Sequence, residues 1–173
     1  MSSPLDQQRV FEPDAKGRSR CALDKNLDIL RRVPIFSGIP IEQLKLYAYL
    51  SNRSHYRAGE FVFRQWESGD LGYVVIQGKA QVIRELKDHS IFLNEFKEGD
   101  FFGALALFPD TFRLFSVKAV TDLECLTIDR ETFQKLFLQF PEVGIKMLNF
   151  MIKRLVQMEE KLLQAKSDEC MYG

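Results

Sequence analysis

Apolar residues change their spacing twice along this chain, and each change marks a boundary. Up to Leu50 they recur at intervals of three and four. Leu23, Leu27 and Leu30 fall on one helical face, and Asp24 is placed to cap that helix. Pro34 ends it, because the residue before a proline is pushed out of helical geometry. Residues 35–40 read as a turn carrying Phe36, and residues 41–50 as a second helix with Glu42 in its first turn, where the helix dipole favours a carboxylate.

Past Arg53 the apolar residues come in short strand-like runs, at 54–56, 61–64, 72–77, 80–85, 91–96, 115–119 and 124–128. Gly59, Gly69, Gly78 and Gly99 punctuate the runs, and 57–60, 68–70 and 77–79 read as hairpin turns. Such short strands at regular spacing predict an antiparallel barrel or sandwich. Residues 87–90 read as a hairpin tip, with His89 at the surface. His55 beside a strand is most simply structural, and the carboxylates Glu67 and Asp70 are solvated turn charges.

The helical period returns at Asp129, which can cap a helix presenting Phe133, Leu136 and Phe137. Pro141 breaks it and suits the first turn of another helix, expected over about 142–165. There Leu148, Met151, Leu155, Met158 and Leu162 alternate by three and four, a coiled-coil seam, and Ile152, Val156 and Leu163 widen it. A helix of about 24 residues is about 36 Å long, more than a small β core needs as a cover. The stripe can pack on its own domain or pair its distal half with a second copy.

The pattern thus divides the chain into a mobile tail at 1–20, one domain at 21–166 with its long helix from about 141, and a polar tail at 167–173. With 173 residues, 46% of them hydrophobic and 28% charged, one domain can bury a proper core. Fifteen phenylalanines against one tryptophan predict a Phe-rich core. A formal net charge of zero supplies no global field for nucleic acid or an anionic membrane. Cys21, Cys125 and Cys170 are odd in number and without a C-x-x-C pair, which argues for a reducing compartment. No apolar run approaches ~18 residues and no apolar signal core opens the chain, so the expected location is cytoplasmic.

The chemistry concentrates in residues 99–119. Gly103 permits a tight turn, and Ala104 to Leu107 suffice for about one helical turn, whose first N–H groups lack helical partners. Pro109-Asp110 ends that turn, and Arg113 is the only cation between Gly99 and Val117. A helix start beside one arginine makes a compact phosphate cradle. The residue order Phe102-Gly103, Leu105-Ala106-Leu107, Arg113 and Ser116-Val117 resembles the phosphate-binding cassette of cyclic nucleotide-binding domains. Gly59-Glu60, Gly69-Asp70, the run from Tyr73 to Gly78, the approach to Phe36 and the Asp129-Arg130 helix start are similar to the same family, and together the resemblance covers about 23–163.

The resemblance implies an α+β fold: an antiparallel β-roll, of the double-stranded β-helix or jelly-roll kind, flanked by N-terminal and C-terminal helices. It implies a ligand such as cAMP or cGMP, with Arg113 on the cyclic phosphate, backbone near Ala106 and Leu114 completing the cradle, and Ser116 within reach of phosphate or base. Gly103, Ala104 and Leu105 line the same cradle. The long helix would close over the purine with Met147 or Met151, hinged near Phe140-Pro141, and would serve as a homodimer seam. Three departures stand out. Ala104 replaces the family glutamate that accepts from the ribose hydroxyl, Leu114 and Phe115 replace small residues, and Trp66 replaces a turn glycine, which predicts local rearrangement.

Two functional readings follow: a cyclic-nucleotide-responsive regulatory module, and a ligand-free dimerisation scaffold on the same roll. In either, a separate effector protein reads the signal, since residues 167–173 leave no room for a DNA-binding helix-turn-helix and no direct DNA binding is expected. A cupin-type metal enzyme would need converging histidines, and His55 and His89 are the only two. No phosphate-binding P-loop or nucleophile elbow appears, so catalysis, metals and cofactors are not expected.

Overall fold

The computed structural model describes the backbone of residues 18–171, and the side chains of 23–160 except Arg154 and Met158. Helix α1 spans Arg18–Arg32, a 3-10 turn follows at Pro34–Phe36, and α2 spans Ile41–Leu50. Eight strands come next: β1 Asn52–Tyr56, β2 Phe61–Phe63, β3 Leu71–Gln77, β4 Ala80–Glu85, β5 Ser90–Phe96, β6 Phe101–Phe102, β7 Ser116–Ala119 and β8 Leu123–Asp129. A second 3-10 turn at Ala104–Leu107 separates β6 from β7. Helices α3, Arg130–Gln139, and α4, Pro141–Met171, close the order.

The strands form two four-stranded antiparallel sheets, ordered β1-β8-β3-β6 and β2-β7-β4-β5. This is an antiparallel β-roll with flanking helices. Strand alternation divides the core in two. On β3 and β6, Tyr73, Val75 and Phe102 face the space between the sheets, joining Phe63, Val82 and Phe96, while Val74 and Phe101 face the helices, joining Leu30, Phe36, Leu107 and Phe133. That is why β3 reads as an unbroken apolar run: both of its faces are covered. Phe102 is fully buried between Phe96 and Tyr73, stacked at centroid distances of 4.7 and 5.0 Å.

Boundaries differ from expectation where local cues compete. Asp24 lies inside α1, because that helix starts at Arg18, within the stretch expected as tail. Asp129 does cap α3, accepting from the Thr132 N–H at 2.7 Å and its hydroxyl at 3.0 Å. Helix α4 continues through the expected polar tail to Met171. Residues 1–17 of the expected N-terminal tail lie outside the described residues.

The start of α4 is seated on the domain. Val143 and Met147 are buried, Phe150 and Met151 pack beside them, and the Lys146 ammonium donates to the carbonyl and, at 2.9 Å, to the hydroxyl of Ser37. The expected seam is therefore corrected at Met151: it shares the face of Met147, four residues earlier, and turns inward. The exposed stripe is Ile145, Leu148, Ile152, Leu155 and Val156. The Met158 and Leu162 side chains lie outside the described residues.

Candidate functional site

The cassette is built on a glycine and a tight turn. Gly103 has φ 78, a left-handed conformation that side chains disfavour, and it heads the 3-10 turn. The Ala106 N–H donates to the Gly103 carbonyl at 3.1 Å, and the Thr111 hydroxyl donates to the Leu105 carbonyl at 2.7 Å. Of the backbone expected near Ala106 to complete the cradle, the N–H of Ala106 itself is bonded within the turn. In a 3-10 turn each bond reaches back three residues, so this N–H is already used. Ala104 and Ala106 are buried, and Leu105 is half-buried.

Arg113 lies under this turn. Its backbone is zipped to the preceding loop: the Trp66 N–H donates to the Arg113 carbonyl at 2.7 Å, and the Arg113 N–H donates to the Glu67 carbonyl at 3.0 Å. The side chain points inward, leaving the residue 6% exposed. Nη1 donates to the Gly103 carbonyl at 3.2 Å and Nη2 to the Leu71 carbonyl at 2.9 Å. The guanidinium carbon sits 4.0 Å over the Phe63 ring centroid and 5.8 Å over that of Tyr73. A methyl group at Gly69 would lie 2.9 Å from Nη2, and one at Gly103 2.9 Å from Nη1, so a side chain at either position would push on the guanidinium. Nε is buried without a partner. Burial lowers the arginine's pKa; Tyr73, Asp70 and Glu67 oppose the shift. Its acceptors are two neutral carbonyls rather than a carboxylate.

The other expected residues divide. Phe115 faces the roll, with its ring centroid 6.2 Å from that of Phe63, and Leu114 is exposed. The Ser116 hydroxyl oxygen accepts from the Gln65 N–H at 2.9 Å, leaving its own proton to donate. The Leu114 carbonyl takes the Arg84 guanidinium, which also lies 4.9 Å over the Trp66 ring. The local rearrangement expected at Trp66 resolves simply: the backbone keeps a glycine-like φ of 69, and the ring is carried outward, 60% exposed. Met147, on the inner face of α4, is buried against the domain, with Met151 partly covered beside it.

Sequence reasoning missed Arg130. From the first position of α3 it donates to the Ala106 carbonyl through Nε at 3.0 Å and Nη2 at 2.8 Å, and to the Gly69 carbonyl through Nη2 at 2.9 Å. The available signal was a cation at a helix N-terminus, where the dipole disfavours it, so some other duty had to place it there. An open cleft of about 430 Å3 lies beside the cassette, lined by Ser68, Gly69, Asp70, Asp110, Phe112 and Arg130 among others. Among the described residues no group of three or more His, Cys, Asp or Glu is placed to hold a metal ion, and no helix is long and apolar enough to cross a membrane.

A β-roll with a glycine turn over one buried arginine, backed by helices at both ends, is thus the frame of the cassette. The model of the cyclic nucleotide-binding domain matches residues 53–140, and the chain belongs to that family. It is 32% identical over 120 residues to a cGMP-dependent protein kinase of Drosophila melanogaster, isozyme 2 forms cD5/T2, covering 67% of this chain and 13% of the kinase. It is 35% identical over 108 residues to the cAMP-dependent protein kinase regulatory subunit of Schizosaccharomyces pombe, covering 62% of this chain and 26% of that subunit. Among solved structures, the Thermus thermophilus catabolite activator protein superposes with a TM-score of 0.68 at 28% identity, covering 75% of this chain and 61% of that one. The chain thus spans a small part of the curated relatives it matches.

Proposed function

We propose that this domain is a non-catalytic, cytoplasmic regulatory module that takes a cyclic nucleotide such as cAMP or cGMP by its phosphate and passes the event on through α4. The observation that carries this is Arg113. A guanidinium removed from water costs free energy unless an anion or a full set of acceptors compensates it. Arg113 has two neutral carbonyls and an orphan Nε, which leaves it incompletely satisfied. A phosphate would complete it, with the Ser116 hydroxyl as a further donor. Two relatives whose names carry cGMP and cAMP dependence support the ligand class. The relay is supported by contact: Phe101, two residues before Gly103, meets Phe150 of α4 at a centroid distance of 6.3 Å.

Ala104 offers no acceptor to a ribose hydroxyl. Leaving that hydroxyl unpaired costs about 1–3 kcal/mol, or about one to two decades of affinity. A second reading, a ligand-free dimerisation scaffold, draws support from this and from the internal hydrogen bonds of Arg113. In both readings the exposed stripe of Ile145, Leu148, Ile152 and Leu155 is the proposed homodimer seam, its 3-4-3 spacing being that of a and d positions, and an effector protein is the next partner. Thermal unfolding with a panel of cyclic nucleotides tests the choice. At ~100 Kd binding adds about 2.7 kcal/mol, which raises Tm by roughly 5–10 °C for a chain of this size. The shift is expected in the native chain and absent in Arg113→Ala; no shift at millimolar ligand favours the scaffold.

A further inference from the structure

The first residue of α3 does more than begin a helix. The fork of Arg130 reaches back over the cassette and takes the carbonyls of Ala106 and Gly69. These belong to the two walls around Arg113. Gly69 presses on the Arg113 guanidinium, since a Cβ there would lie 2.9 Å from Nη2 and 3.2 Å from Nε. Ala106 sits in the 3-10 turn, bonded back to Gly103, and the Gly103 carbonyl also accepts from Arg113 Nη1. One side chain from α3 therefore fixes both walls at once. A lysine there could offer only a point charge, without the planar fork.

We infer that Arg130 is a positioning residue that keeps Arg113 latched on its own backbone, so that the placement of α3 controls how available Arg113 is to an anion. The functional meaning of this latch rests on the reading of Arg113 as the phosphate ligand; the latch itself does not. Helix α3 passes the restraint onward, because Phe137 packs against Gly144 at the start of α4, where a Cβ would fall 2.1 Å from the ring. Releasing Arg130 loosens the cassette from one side, and an anion drawing Arg113 away from Leu71 and Gly103 loosens it from the other. Equilibrium coupling works in both directions.

The test is arginine-specific labelling with phenylglyoxal, read peptide by peptide by mass spectrometry on the full chain without nucleotide. Arg113 in the native chain is expected to label slowly. In Arg130→Ala its labelling rises roughly tenfold, the factor that one or two lost hydrogen bonds amount to. Arg53 is the internal control, because Glu124 holds it at 2.7 Å and Asn26 at 2.8 Å, both away from the cassette. Arg130→Lys, which keeps charge and stem but not the fork, is expected to fall between. A folded Arg130→Ala with unchanged Arg53 and unchanged Arg113 labelling overturns the inference. Should Arg53 rise with Arg113, the fold itself is lost, and Arg130→Lys decides by the same comparison. Millimolar cAMP is then added to the variant. Protection of the exposed Arg113 supports the phosphate reading, and its absence refutes that reading while the latch stands.

Discussion

Two glycines press on the same guanidinium, yet replacing them by alanine has different consequences. Gly103→Ala forces a side chain onto φ 78, which costs roughly 1–2 kcal/mol by itself. Its Cβ would also stand 3.1 Å from the Leu71 carbonyl and 3.1 Å from the Tyr73 ring, both parts of β3 that cannot yield freely. The total is about 2–3 kcal/mol. At 2–4 °C per kcal/mol for a chain of this length, Tm falls by roughly 5–10 °C. Gly69 has no positive φ, and all three of its nearest atoms belong to Arg113. The arginine can swing away, losing about one charged hydrogen bond of 1.5–3 kcal/mol. The unfolded chain, stiffened by alanine, returns roughly 0.4–1 kcal/mol of that. Gly69→Ala is therefore the milder change, about 1–2 kcal/mol, and Arg113 leaves its berth. Differential scanning calorimetry of the three proteins reads both values. A Gly69→Ala protein as destabilised as Gly103→Ala, or a Gly103→Ala protein with native Tm, would refute the assignment of backbone strain to one and side-chain displacement to the other.

Other expectations follow from the packing and the titrating groups. Phe102→Ala removes the middle ring of the Phe96–Phe102–Tyr73 stack and should cost about 3–5 kcal/mol in a chemical denaturation curve; a loss under 1 kcal/mol would contradict the stacked core. Asp129→Ala removes the α3 cap and should cost about 1 kcal/mol by the same measurement. Burial pushes the Cys125 thiol up to about 12 and also raises Tyr73 and Tyr56 above the usual tyrosine range. These groups keep protons that the unfolded chain gives up, so stability is full below about pH 9 and falls as pH rises toward 12. Cys125→Ala should flatten that decline in a urea series taken at several alkaline pH values, and an unchanged slope would remove Cys125 from the account. Ile152→Glu places a charge in the exposed stripe of α4 and should convert a dimer to a monomer in sedimentation equilibrium, whereas Met151→Glu, aimed inward, should lower Tm instead.

Much of this architecture was legible because local and long-range signals agree. The strands β1 to β5, β7 and β8 lie within about two residues of the expected runs, whereas the two-residue β6 is not among those runs; the turn at Ala104–Leu107 lies where Gly103 places it, and α2 spans the expected 41–50. The resemblance in residue order carried the fold the rest of the way. What failed was set by three-dimensional placement. Asp24 looks like a cap, but nothing in its neighbourhood stops the helix from starting at Arg18. Met151 fits a seam by spacing alone, and only the docking of α4 shows that its face is taken by the domain. The residue order announces one helical turn at Ala104–Leu107 but not its type, and because the turn is 3-10 the N–H of Ala106 bonds back to Gly103. The residue order marks Arg113 as the key cation, but its two carbonyl partners come from Leu71 and Gly103, and no spacing in the sequence brings Leu71 to Arg113. Trp66 defied expectation differently: it tolerates a glycine conformation because its ring escapes to solvent beside Arg84.

The central claim is that the buried, half-satisfied guanidinium of Arg113 is an anion receptor. The Nε–H resonance of that side chain in 15N-labelled protein, assigned by its loss in Arg113→Lys, reports on it directly, because Nε is the donor left without a partner. Titration with cAMP and with cGMP is expected to shift this resonance in a saturable way and to slow its exchange with water as a phosphate oxygen accepts from it. A resonance that stays in place with both nucleotides at millimolar concentration, while the protein remains folded, would contradict the claim.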